Sequence, residues 1–240
     1  MDRYTLGTIT LPVLIMVIIF TRMFNFAAFT NNMQNESAKK KITLAIFLIR
    51  WVLATLLGVT VGSLLAYRSA SILYIILGTD KLSSFVDFYP IILEPVCIGL
   101  STGIFQWLVL RSIIKKSGWW VLATTVGWLT WELFVYPFST FNFMALLGSD
   151  LGQLLVVGGV LGSLQWLVLR KKSPYAGLWI VMTLLGVSAD AAMAVFMDTY
   201  SLFDYSVFGL LIGLFTGLLT GLHLIVNYDD YYEKQQPSEV

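Results

Sequence analysis

Charge is scarce in this chain. Only 12% of its 240 residues are Asp, Glu, Lys or Arg, about half the share found in soluble domains. Basic and acidic residues nearly balance, 15 against 14, for a net charge of +1. That balance offers no basic face to a nucleic acid. There is one cysteine, Cys97, inside an apolar run, which excludes a disulfide framework and a thiolate metal cluster. There is one histidine, His223, which leaves little room for conventional metal or acid–base chemistry. A His–Glu helical metal motif, a phosphate-binding glycine loop and a Ser/His/Asp set are absent as well. No catalytic residue and no metal ligand is therefore assigned. The apolar runs do not alternate with a period of two, which excludes a β-barrel.

What the chain has in abundance is apolar surface. Hydrophobic residues make up 58% of it, and the mean hydropathy is +0.80. So few polar groups cannot cover a soluble globule, and so few charges do not suit a disordered chain. The composition predicts an all-α, polytopic membrane protein. A crossing helix needs about 20 apolar residues. Seven stretches meet or approach that length: 6–29, 42–67, 91–110, 119–136, 151–169, 178–197 and 207–226. The first reads as a retained helix, since no small-x-small cleavage site precedes the polar segment NNMQNESAKKK. ILYIILG at 72–78 is too short to cross and reads as an interfacial or re-entrant helix. Residues 1–226 form a single transmembrane domain, and 227–240 a polar tail.

A repeat organises these spans. WVLATLLG at 51–58 returns as WVLATTVG at 120–127 and as WIVMTLLG at 179–186. Each is followed by a glycine-spaced helix: GLSTGIFQWLVLR at 99–111, GGVLGSLQWLVLR at 158–170 and GLFTGLLTGLHLI at 213–225. The third copy is degenerate, with Thr220 and Gly221 in place of Gln-Trp and Ile225 in place of Arg. The chain thus reads as one N-terminal helix plus three tandem hairpins, at about 50–111, 119–170 and 178–225. Three like-oriented hairpins can close into a pseudo-threefold bundle.

The basic residues orient it. Arg22, Lys39, Lys40, Lys41, Arg50, Arg111, Lys115, Lys116, Arg170, Lys171, Lys172 and Lys234 fall on the side of the repeat junctions, twelve of the fifteen. The positive-inside rule then predicts cytoplasmic junctions, a cytoplasmic C-terminus and an N-terminus outside. The outward tips, about 68–90, 137–150 and 198–206, carry Phe and Tyr suited to a membrane interface.

The repeated G-x-x-x-G-x-x-Q-W-L-V-L-R helix, with W-V-L-A-T before it, resembles a broad group of uncharacterised multipass bacterial membrane proteins. That group is associated with photosynthetic bacteria. The resemblance covers about 50–225. It implies a bacterial cytoplasmic or internal photosynthetic membrane and this helical architecture, and it lends no activity.

Few residues carry candidate chemistry. Gly99, Gly103 and Gln106 share one helix face, as do Gly158, Gly162 and Gln165; Gly213 and Gly217 keep the glycines only. These faces read either as tight helix packing, with each amide bonding across the contact, or as the lining of a polar site. Trp107 and Trp166 read as interfacial anchors, Arg50 as an interfacial group or a buried partner for an acid, and His223 as an interfacial group. Glu132 stands twelve residues past Trp120, about 18 Å into the bilayer. Glu94 and Asp190 are also at intramembrane depth. An ionised carboxylate there is costly, so each acid is neutral, paired or facing a wet cavity. Pro95 and Pro137 predict local breaks in helical hydrogen bonding. Glu94, Gln106, Glu132, Gln165 and Asp190 together form the candidate intramembrane polar site.

Three functions follow from this inventory. Packing motifs and scarce chemistry favour a non-enzymatic accessory, assembly or scaffold subunit. The repeat and the buried acids suit a small-solute or ion transporter or channel. An intramembrane enzyme rests on the three acids alone. Expected partners are membrane lipids and other membrane subunits, with no nucleic acid. No cofactor is indicated by the residues, although the apolar surface leaves room for a pigment or a lipid.

Overall fold

The computed structural model describes residues 18, 36–77, 83–114, 117–130, 133, 150–171, 176–195, 214, 217–221 and 223. Expectations for 6–29, for Glu132, for Pro137, for Gly213 and for the tips at 137–149 and 198–206 lie outside them. The described residues are helical apart from the short turns that join helices. Five helices follow in order: α1 (Glu36–Leu77), α2 (Ser83–Leu110), α3 (Trp119–Thr130), α4 (Asp150–Leu169) and α5 (Leu178–Val195). Residues 217–221 form a further helical segment.

Two of the helices are longer than the hydropathy pattern predicts. α1 has 42 residues, about 63 Å at 1.5 Å per residue. The interfacial helix expected at 72–78 is instead the last turns of α1, up to Leu77. The reason is local: no glycine or proline interrupts 63–77, so nothing stops a helix already under way. α2 starts at Ser83 rather than near 91, and it continues through Pro90 and Pro95. The break expected at Pro95 does not end the helix.

Stretches within two helices, Thr43–Ser69 and Ile92–Leu110, are long and apolar enough to cross a membrane. Beside an apolar core, several polar side chains are buried, among them Thr55, Gln106, Thr124, Gln165, Thr183, Thr220 and His223, while Leu100, Leu122, Val126, Leu167, Val181, Leu185 and Leu218 are exposed.

Each helix packs on its sequence neighbour: α1 on α2, α2 on α3, α3 on α4 and α4 on α5. Glycines set the closest approaches. A Cβ on Gly58 would meet the Thr102 backbone, and one on Gly62 the Ile98 backbone. A step of four up α1 is thus a step of four back along α2, so the two run antiparallel. A Cβ on Gly99 would lie 2.7 Å from Thr125 Cα, and one on Gly103 2.9 Å from Val121 Cα. On α4, Gly158 approaches Leu184 Cα and Gly162 approaches Ile180 Cα, both at 3.0 Å. Gly217 faces Val52 Cα at 3.1 Å, and Gly221 faces Leu48 and Trp51. The segment 217–221 therefore returns to α1. Side chains at these glycines would hold the backbones apart.

Candidate functional site

The W-x-x-x-T helices bring three tryptophans to one place. Trp51, Trp120 and Trp179 are 0%, 0% and 1% exposed. Their rings meet edge to face, with centroids 5.8 Å apart for Trp51 and Trp120, 5.9 Å for Trp51 and Trp179, and 5.2 Å for Trp120 and Trp179. This T-shaped geometry suits the ring quadrupoles. Phe47, Leu57, Leu110, Ile113, Ile114 and Leu169 complete the core around them. Short turns fix the backbone at two of the tryptophans. The Trp120 backbone N–H donates to the Ser117 carbonyl at 2.9 Å, and the Trp179 backbone N–H to the Ala176 carbonyl at 3.0 Å.

A buried indole N–H needs an acceptor, and each of the three has one. Trp120 Nε1 donates to Gln106 Oε1 at 2.9 Å, and Trp179 Nε1 to Gln165 Oε1 at 2.9 Å. Trp51 Nε1 donates to Thr220 Oγ1 at 2.7 Å. The amides are used at both ends. Gln106 Nε2 donates to Thr55 Oγ1, and Gln165 Nε2 to Thr124 Oγ1, each at 3.0 Å. The Thr55 and Thr183 hydroxyls donate one turn back, to the carbonyls of Trp51 at 3.0 Å and Trp179 at 2.9 Å. Each glutamine therefore ties three helices: Gln106 joins α2 to α1 and α3, and Gln165 joins α4 to α3 and α5. The His223 ring stacks edge-on against Trp179 at 5.6 Å.

Of the five residues in the candidate polar site, Gln106 and Gln165 belong to this network. Glu94 is half-buried and stands twelve residues before Gln106 on the continuous α2, about 18 Å away along the axis. The two stand at different depths. Asp190 lies on α5, with its side chain outside the described residues, and Glu132 is outside them altogether. Among the described residues no group of three or more His, Cys, Asp or Glu side chains could hold a metal ion.

Trp107 and Trp166 are half-buried, each under an arginine four residues on. The Arg111 guanidinium sits 5.4 Å from the Trp107 ring centre, and Arg170 5.6 Å from that of Trp166. These are cation–π pairs.

The sequence reading took Trp51, Trp120 and Trp179 as markers of the repeat and did not join them into one cluster. Their shared register, four residues before a threonine in each copy, was the available signal. The three indole donors are each matched by a neutral acceptor on a neighbouring element. The arrangement binds helices to one another, and it presents no nucleophile beside a base. Comparison with protein-family models, with curated proteins and with solved structures returns no match.

Proposed function

We propose that the chain is a multipass membrane protein of seven spans, one N-terminal helix and three hairpins closed around a pseudo-threefold axis. We further propose that it serves as a non-enzymatic accessory, assembly or scaffold subunit of a bacterial cytoplasmic or internal photosynthetic membrane complex. One observation carries the reading: the Gln106 and Gln165 amides, which a solute site would need free, bond to Trp and Thr side chains of neighbouring helices. The tryptophans they serve fill the space between those helices. Support for the membrane comes from the apolar stretches Thr43–Ser69 and Ile92–Leu110 and from the exposed large apolar side chains along the helices. Recurrence of one glycine contact, Gly103 on Val121, Gly162 on Ile180 and Gly217 on Val52, supports the threefold. In each pair the partner is the residue after a core tryptophan.

Native mass spectrometry of the gently solubilised protein tests the role. A stoichiometric membrane partner is expected. Ion or solute flux by the chain alone in vesicles, abolished by Glu94→Gln, would transfer the assignment to transport. Topology has its own test in a Cys97→Ser background. A cysteine at Ser112, which is exposed at the α2–α3 turn, should be shielded from an impermeant reagent outside, and one at Ser84 should react. Labelling of both from one side would end the hairpin arrangement. Ser117 is unsuitable for this purpose, because it is buried.

A further inference from the structure

Two adjacent glycines on α4 have different neighbours. Gly158 is explained by packing, since a Cβ there would lie 3.0 Å from Leu184 Cα. Gly159 is not: among the described residues, its Cβ would meet Leu184 Cδ2 alone, at 3.9 Å. A glycine inside a helix weakens it relative to alanine, so a glycine without a close contact calls for another reason. The same register holds Leu100 on α2 and Leu214 in the third copy, which are 41% and 44% exposed. Only the second copy has no side chain there.

A groove passes over this position. It has a volume of about 470 Å³ and, among the described residues, runs along α4 from Val156 to Leu167, past Gly159, Val160, Ser163 and Trp166. Those twelve residues, eleven rises of helix, span about 17 Å, close to the roughly 15 Å of hydrocarbon in one leaflet. One end of the groove has charge. Trp166 lines it, and Arg170 is held over the Trp166 ring at 5.6 Å. Lys171 follows, and both cations are exposed.

We infer that this groove is a binding site for one anionic phospholipid, with an acyl chain lying over Gly159 and the headgroup phosphate on Arg170 and Lys171. The inference rests on the membrane reading above. A mobile anion alone has no use for an apolar groove, and a zwitterionic lipid leaves the paired cations without a net negative partner. An anionic lipid satisfies both features. In the other copies a leucine occupies the place of the chain, so the site is single.

The test uses the full chain in detergent micelles. Phosphatidylglycerol or phosphatidylcholine with the same acyl chains is added, and retained lipid is counted by native mass spectrometry. One phosphatidylglycerol should be retained at concentrations where phosphatidylcholine is not. Arg170→Gln should weaken retention about fivefold, the effect of one cation near a headgroup. Gly159→Leu, which copies the other repeats and whose Cβ lies near no described backbone atom, should weaken it by about tenfold or more through lost chain burial. Gly159→Ala should have a smaller effect in the same direction. Arg111→Gln should leave retention unchanged. Equal retention by Gly159→Leu and the parent would overturn the inference, as would equal retention of the two lipids. Displacement of the lipid by inorganic phosphate at matched concentration would assign a simple anion site instead and also overturn it. Flotation with liposomes separates the two levels. A chain that does not float refutes the membrane reading, whereas one that floats without lipid preference refutes only this site.

Discussion

At two of its seams the bundle is tied by an amide, and at the seam between residues 217–221 and α1 by a hydroxyl. Gln106 and Gln165 each accept from an indole on one side and donate to a threonine on the other. Thr220 accepts from Trp51 at 2.7 Å, and its short side chain carries no amide to extend toward Thr183. Where the first two copies place Val109 and Val168, the third places His223, with its ring against Trp179. The same tryptophan core is thus served by amides that reach two neighbouring helices each and by a hydroxyl that accepts the Trp51 indole. The difference teaches where coupling between helices is concentrated: removing an amide takes away an acceptor and a donor that serve different helices, whereas removing the Thr220 hydroxyl takes away the acceptor of one indole.

The largest expected effect comes from the indoles themselves. Trp120→Ala should cost about 3–5 kcal/mol, the range for a fully buried large aromatic, and it leaves the Gln106 carbonyl without its indole. Trp51→Ala removes an equally buried ring, but its acceptor is the Thr220 hydroxyl, which can rotate. Thermal unfolding in detergent should therefore rank Trp120→Ala as the more damaging. The reverse order would break the comparison.

Glycine approaches come next. Gly103→Leu and Gly217→Leu should each cost about 1–3 kcal/mol by overpacking. Gly103 faces the Val121 backbone at 2.9 and 3.1 Å, whereas two of the three nearest neighbours of Gly217 are atoms of the Thr55 side chain, which can yield. The Gly103 variant should be the less stable of the pair by melting temperature. Unchanged melting of both would mean that these faces do not touch a neighbour.

Much of this frame was legible beforehand. The stretches 151–169 and 178–197 anticipate α4 (Asp150–Leu169) and α5 (Leu178–Val195) within two residues, because apolar length and glycine spacing are local properties. The continuation of α1 to Leu77 was not legible by the same rule, since a count of apolar residues measures what can cross a bilayer and not where a helix stops. The tryptophans were harder for a physical reason. An indole in a membrane sequence serves equally as an interfacial anchor or as a core ring with a matched N–H. Trp107 and Trp120 differ in their three-dimensional partners, Arg111 for one and Gln106 for the other, and hydropathy is blind to that. The two amides could be read either as packing groups or as a site. The partner atoms that distinguish these lie 51 and 41 residues away in the chain.

The amide and hydroxyl can be compared directly. Gln165→Leu should cost about 1–2 kcal/mol, because the buried Trp179 N–H loses its acceptor and Thr124 its donor. Thr220→Val keeps the shape and removes one acceptor, so its cost should be about 1 kcal/mol. Equal losses, measured by denaturant titration of the two variants, would show that the glutamine's second bond contributes nothing.

The smallest effect belongs to the arginines at the helix ends. Arg111 lies over Trp107, and the third copy has neither partner, with Gly221 and Ile225 at those places. An exposed cation–π contact contributes about 0.5–1 kcal/mol. Arg111→Gln should lower stability by that amount, and so should Trp107→Leu beyond its lost packing. The double variant should cost less than the sum, because the second change removes a contact already gone. Ile225→Arg should restore nothing, since Gly221 offers no ring beneath it. A double-mutant cycle with no coupling would mean that Arg111 only extends toward the headgroups and draws nothing from Trp107. In that case the end of α2 would gain no more from its Trp107–Arg111 pair than the third copy does without one.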